Sequence, residues 1–291
     1  MQSNIKDCLK ELSHNFESKP GPIGIFDSGY GGLTILEKIR QCLPQYDYVY
    51  LGDNARTPYG TRSFEIVYKY TLECVVQLFK MGCHLVILAC NTASAKALRT
   101  IQQNDLPILD SHRRVLGIIR PTAEAIGSIT NNFHVGLLAT PGTVQSNSYG
   151  LEIQKLYDNI ILTSEACPMW VPLIENSEYN SPGADYFINK NLNHLLQIDP
   201  EIDTIILGCT HYPILENKIK SLLPDKITVV SQGKIVAESL KNYLQRHPEI
   251  EMRCTKKGTF QYYTTESVEK FSMMASIFLK ENIQAQHIEI G

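Results

Sequence analysis

Two segments of this chain follow one pattern. Val86-Ile87-Leu88-Ala89-Cys90-Asn91-Thr92 and Ile205-Ile206-Leu207-Gly208-Cys209-Thr210-His211 each run from an apolar strand through a small residue to a cysteine. Polar residues that open a helix follow in both. Upstream, at similar intervals, lie two more strands that end in polar loops, Gly24-Ile25-Phe26-Asp27-Ser28-Gly29 and Gly136-Leu137-Leu138-Ala139-Thr140-Pro141. Chance resemblance of two buried Val/Ile/Leu runs is the plain alternative, but two similar α/β halves explain the whole pattern more economically.

The rest of the chain extends that reading. β-rich runs at Ile23–Phe26, Tyr48–Leu51, Leu85–Ala89, Val135–Ala139, Ile160–Leu162, Thr204–Leu207, Ile227–Val230 and Phe260–Thr264 alternate with helical spacing over Leu33–Cys42, Ser63–Met81, Ala93–Gln103 and Val268–Glu281. Near-continuous apolar strands that alternate with helices predict parallel sheets covered on both faces. The expected fold is therefore α/β: two pseudo-symmetric, doubly wound domains with mainly parallel sheets and the active site in the cleft between them. The 291 residues suit two domains of ordinary size. The expected limits are a helical extension over 1–21, a first domain over 22–116 plus 230–291, and a second over 117–229. In the extension, Ile5, Cys8, Leu9, Leu12 and Phe16 keep helical spacing, and Lys19-Pro20-Gly21-Pro22 punctuates the chain before the first strand.

Composition narrows the class of partner. With 43% hydrophobic and 20% charged residues and a formal charge of -3, the chain is globular and offers no electrostatic case for nucleic acid or an anionic membrane. No apolar run approaches the ~20 residues of a spanning helix. Lys6, Asp7, Lys10 and Glu11 interrupt any signal-peptide core. A cytoplasmic location is the expectation. In a reducing compartment the eight cysteines, with no C-x-x-C pair and no zinc-ligand spacing, are not a disulfide or zinc framework. Cys8, Cys42, Cys74, Cys83, Cys167 and Cys254 read as small buried hydrophobes. Cys90 and Cys209 differ by position.

In open α/β sheets ligands bind beyond the carboxyl ends of the strands. The unusual residues fall there: Asp27-Ser28-Gly29-Tyr30-Gly31-Gly32, Gly52-Asp53 with Thr57-Pro58-Tyr59-Gly60, Cys90-Asn91-Thr92, Thr140-Pro141-Gly142-Thr143 and Cys209-Thr210-His211-Tyr212-Pro213. A thiol that opens a helix is placed to ionise below its usual pKa of ~8.5, and the same amides can hold a carboxylate. One such cysteine is more often structural than catalytic. Two, at matching positions of two halves, reverse that balance, because inverting a carbon centre needs a base on one face and an acid on the other.

These residues resemble the glutamate racemases of the bacterial aspartate/glutamate racemase superfamily, from about Pro22 to the C-terminus. Asp27-Ser28-Gly29-x-Gly31-Gly32, Pro58-Tyr59-Gly60, Ala89-Cys90-Asn91-Thr92-Ala93, Cys209-Thr210-His211-Tyr212-Pro213 and Cys167-Pro168-Met169-Trp170-Val171-Pro172-Leu173-Ile174-Glu175 carry the likeness. The resemblance implies interconversion of L- and D-glutamate, supply of D-glutamate for peptidoglycan, no pyridoxal phosphate or metal, and a homodimer. It implies that Cys90 and Cys209 exchange the α-proton, that Asp27, His211 and Glu175 assist, and that Asp27, Ser28, Tyr59, Gly60, Asn91, Thr92, Thr210 and His211 bind substrate. Glu165 and Glu178 compete in sequence with Glu175 for the acidic role. Trp170, where the family more often has Phe, reads as core or domain interface.

Blander readings stand beside these. Asp27-Ser28-Gly29 also suits a tight turn, His211 suits a helix start, and Asp53 reads as a turn residue outside the catalytic set. The glycines complete no G-x-G-x-x-G or G-K-[ST] fingerprint, which disfavours nucleotides. Rival functions are a racemase for another acidic amino acid, chiefly aspartate, a non-catalytic dicarboxylate-binding protein, and a thiol redox protein that the missing C-x-x-C makes poor.

Overall fold

The computed structural model describes residues 19–290, so the expected helix before Pro20 lies outside the described residues. Among the described residues, ten strands form two all-parallel sheets. The first takes β1 (Ile23–Asp27), β2 (Tyr48–Gly52), β3 (Leu85–Leu88), β4 (Arg114–Gly117), β9 (Phe260–Thr264) and β10 (Ala285–His287), in the order β10-β9-β2-β1-β3-β4. The second takes β5 (His134–Ala139), β6 (Ile161–Ala166), β7 (Thr204–Gly208) and β8 (Thr228–Val230), in the order β6-β5-β7-β8. Both contain one unit: second strand, first, third, fourth. The internal repeat read from sequence is thus a repeat of topology, and each unit reverses direction between its first and third strands.

The central strands explain why their sequences read as unbroken apolar runs. In β3, Leu85 and Ile87 enter one apolar cluster while Val86 and Leu88 enter another on the opposite face. In β7, Ile205 and Leu207 share the first of those clusters and Ile206 enters a third. Side chains alternate with period two, and both faces are covered by helices. Each such buried side chain contributes roughly 1.5–3 kcal/mol. The cluster holding Ile25 and Ile87 also holds Leu138, Leu207 and Trp170, so one apolar body runs through both sheets.

Two strands were not expected. β4 is only Arg-Val-Leu-Gly and follows Arg113, and Ala-Gln-His of β10 has no β-branched residue. Both are sheet edges, where register comes from the neighbour: Arg114 to Gly117 pair with Leu85 to Leu88, and Ala285 to His287 pair with Tyr262 to Thr264. The helix expected from Ala93 begins earlier, as Asn91–Lys96. It is interrupted at Ala97 and passes through a π-helical stretch, Ile101–Asp105. No helix among the described residues is long and apolar enough to cross a membrane.

Candidate active site

Parallel register brings the carboxyl ends of β1 and β3 side by side, and likewise those of β5 and β7. At these switch points stand Asp27 and Cys90 in the first sheet, Thr140 and Cys209 in the second. Between them lies a cavity of about 70 Å³ lined by both cysteines, Ser28, Tyr59, Asn91, Thr92, Thr140, Thr210 and His211. None of its lining residues is lysine or arginine.

Cys90 ends β3 in extended conformation and caps the helix Asn91–Lys96, its Sγ accepting from the Ala93 N–H at 3.5 Å. Ser28 Oγ lies 3.4 Å from the same sulfur. Sequence position predicted a thiol ready to ionise. The structure gives the opposite balance: burial and then the Asp27 carboxylate push the thiol up to about 12, and the hydrogen bonds from Ser28 and Ala93 offset only part of that.

Cys209 has different company. A turn and a short 3-10 segment, Tyr212–Leu215, follow it rather than an α-helix, and its sulfur lies 3.8 Å from His211 Nδ1. On its other nitrogen, His211 Nε2 is 3.0 Å from Glu175 Oε1. Burial alone depresses the imidazole, yet hydrogen bonds and charge from Cys209 and Glu175 outweigh it and hold His211 well above its usual range. Among the acids that sequence left open, Glu175 is the one beside His211. Glu165 accepts from Asn191 and pairs with His194 instead.

Asp27 is fully buried at the end of β1, where Oδ2 accepts from the Gly29 N–H at 2.9 Å and Oδ1 lies 3.5 Å from Thr210 Oγ1. Burial raises its pKa above the ordinary value, against the lowering effects of His211 and two backbone N–H groups. Thr34, on the helix Leu33–Cys42, donates to the Thr210 carbonyl at 3.0 Å. The loop of Cys209 is therefore anchored by the first half. Gly31 lies directly against His211 Nδ1 and Thr210 Oγ1, so no side chain fits there. Its glycine makes room for the histidine of the other half, which no local reading of the turn reveals.

The opposite wall is equally shared. Gly142 donates to the Gly60 carbonyl at 2.8 Å, and a Cβ on Gly60 would meet Thr140 at 2.9 Å. Tyr59 lines the cavity while its hydroxyl donates to Asp53, which also accepts from Arg56 and Thr265. Asp53 thus supports the wall from behind. Thr92 Oγ1 lies 2.9 Å from Thr140 Oγ1 and 3.4 Å from Thr143 Oγ1. Sequence placed Thr140 and Thr143 at a strand end without giving them a part in the site. Cys167 also lines the cavity, and Trp170 packs on Tyr212 in the core. The described residues gather no group of three or more side chains suited to a metal.

A pair of all-parallel α/β sheets thus presents two thiols from equivalent strand ends to one cavity. Residues 24–240 match the Asp/Glu/Hydantoin racemase family, and the chain belongs to that family. It is 38% identical to the glutamate racemase of Ruegeria sp. over 271 residues, covering 90% of this chain and 97% of that one. With the glutamate racemase of Shouchella clausii it shares 36% over 272 residues, covering 92% and 95%. Among solved structures, the glutamate racemase of Bacillus anthracis superposes with a TM-score of 0.84 at 33% identity, covering 92% of this chain and 97% of that one. That of Francisella tularensis, in complex with D-glutamate, gives 0.81 at 31%, covering 93% and 98%.

Proposed function

We propose that this protein is a glutamate racemase that interconverts L- and D-glutamate by two-base proton transfer at Cα and so supplies D-glutamate for peptidoglycan. The single observation that carries the mechanism is the placement of Cys90 and Cys209 at equivalent strand ends on one cavity. The substrate rests on relatives at this identity and coverage, all bearing the glutamate racemase name.

One thiol starts as thiolate and removes the Cα proton from one face. The other starts as thiol and delivers its own proton to the opposite face, and the two exchange protonation states in each turnover. Asp27 and Ser28 serve Cys90, while His211, backed by Glu175, serves Cys209. Among the described residues the lining holds no lysine or arginine, so hydroxyl and amide donors, with the His211 imidazole, hold the carboxylates and meet the charge that develops at the carbon. We assign these contacts to Ser28, Tyr59, Gly60, Asn91, Thr92, Thr210 and His211, and add Thr140 and Thr143. No cofactor is required, since thiol and thiolate provide both proton donor and acceptor. Domains over 22–116 plus 230–291 and over 117–229, a homodimeric state and a cytoplasmic location complete the proposal.

Incubation with L-glutamate in deuterated water, without added cofactor, is expected to yield D-glutamate labelled at Cα. A kcat/KM for aspartate above that for glutamate would overturn the substrate, and unlabelled product would overturn the mechanism.

A further inference from the structure

Behind Cys90 three side chains close a ring. Asn91 Nδ2 donates to Gln232 Oε1 at 2.7 Å, Gln232 Nε2 donates to the Tyr149 hydroxyl at 2.8 Å, and that hydroxyl donates to Asn91 Oδ1 at 2.7 Å. All three residues are buried. Gln232 Nε2 also reaches Thr122 Oγ1 at 2.9 Å and the Ile118 carbonyl at 3.2 Å.

The ring has a direction. An amide can be turned end for end, and a hydroxyl both donates and accepts, so three such groups alone could run either way. The Ile118 carbonyl only accepts. It obliges Gln232 to present Nε2, which leaves Oε1 for Asn91 and obliges Asn91 to present Nδ2. Burial keeps Tyr149 a neutral phenol, with one hydrogen to give. One Nδ2 hydrogen of Asn91 is left over, on a residue that lines the cavity next to Cys90.

The members come from separate places in the chain. Ile118 and Thr122 lie where the backbone leaves the first sheet after β4. Gln232 lies where it returns after β8, and Tyr149 sits on the helix Ser148–Gln154 of the second half. Both covalent crossings between the sheets therefore end on one amide.

We propose that Tyr149 and Gln232 are positioning residues that fix the Asn91 amide as a substrate-facing donor and tie its placement to the two crossings between the halves. This rests on the racemase reading above. The test is a double-mutant cycle on purified enzyme, with glutamate racemisation measured in both directions. Tyr149→Phe removes one oxygen and leaves the buried Asn91 Oδ1 without its donor, so that the Asn91 amide is held from one end only. It is expected to raise KM about tenfold with kcat within about threefold of wild type, the pattern of lost ground-state and transition-state binding in equal measure. In an Asn91→Ala background the same change is expected to add nothing, because its only route to substrate is gone. A Tyr149→Phe enzyme with KM within twofold of wild type, or effects that multiply in the double variant, overturns the proposal. Where Tyr149→Phe melts below the assay temperature, Gln232→Met, which takes away the acceptor for Asn91 Nδ2, is read in the same way: a KM rise absent in the Asn91→Ala background supports the proposal, and no rise overturns it. Wild-type enzyme assayed alongside separates the two readings. Its failure to turn over glutamate overturns the racemase reading beneath this one, whereas an active wild type with an unchanged variant overturns only the ring.

Discussion

The two halves hold their thiols in the same topological slot and surround them differently. Cys90 caps a helix and sits beside a hydroxyl and a buried carboxylate, and burial and that carboxylate keep its proton on against the hydrogen bonds from Ser28 and Ala93. Cys209 opens no α-helix and sits beside an imidazole that it and Glu175 hold in the charged form. A repeated scaffold thus carries an anion-facing thiol on one side and a cation-facing sulfur on the other. The proposed inversion needs one thiol and one thiolate at the outset, and the two sulfurs differ both in helix position and in the charge of their neighbours.

Breaking either side tests the comparison most severely. Cys90→Ala and Cys209→Ala are each expected to lower racemisation by about 10³-fold or more, in the upper part of the range for a proton-transfer group. The loss should be equal in the two directions, because enantiomers have equal free energy. Stereochemical assays starting from each pure enantiomer check this. A single variant that kept full racemisation would remove the two-base scheme.

The partners come next. His211→Asn and Asp27→Asn are each expected to cost about 10²-fold in kcat/KM, with different pH profiles. Loss of the imidazole takes away a group whose own pKa is held high beside the Cys209 sulfur, so His211→Asn should lose the alkaline fall in activity that titration of that imidazole imposes. Loss of the Asp27 charge removes a group that raises the Cys90 pKa, so that variant should gain little from alkali. Coincident profiles would show that the two halves are electrostatically alike after all. Gly31→Ala is expected to cost about tenfold in kcat/KM, on the scale of a sub-ångström misplacement of a catalytic group, because the added Cβ meets His211 and Thr210.

What sequence reveals here follows from what is local. Val86 to Leu88 and Ile205 to Leu207 announce buried parallel strands, and a small residue before cysteine marks their ends; hence the fold, the switch points and both thiols are readable without coordinates. β4 and β10 escape because edge strands borrow their register from a neighbour. Glu175 could not be separated from Glu165 and Glu178, since the choice depends on which helix turn reaches His211. Tyr149 and Gln232 carry no motif at all: the ring they close with Asn91 is made of contacts that join residues from 58 to 141 positions apart. The effect of burial on Cys90 is of the same kind. Helix position is legible and pulls the thiol down, whereas the enclosing protein and the Asp27 carboxylate are not legible and push it up.

The smallest expected effect sharpens the comparison through stability. Asp27 has its folded pKa raised by burial, so the fold favours its protonated form and loses stability as pH rises from the unfolded value of 3.8 through the folded one. His211 also has a raised folded pKa, but for a cation the sense differs: its pairing with Cys209 and Glu175 stabilises the fold fully below the unfolded value of 6.5, and that contribution disappears as pH rises through the folded pKa. Asp27→Asn keeps an acceptor for the Gly29 N–H and removes the buried charge. It should therefore raise Tm by a few degrees at neutral pH, on the scale of single stabilising substitutions that sacrifice function, with the gain shrinking as pH falls toward 4. His211→Asn should lower Tm, most strongly in the acid range where the imidazolium contribution is complete. Thermal unfolding of both variants across pH decides the matter. If Asp27→Asn lowered Tm at neutral pH, its hydrogen bonds to Gly29 and Thr210 would outweigh the cost of its burial, and the Cys90 half would be held together by the same charge that keeps its thiol protonated.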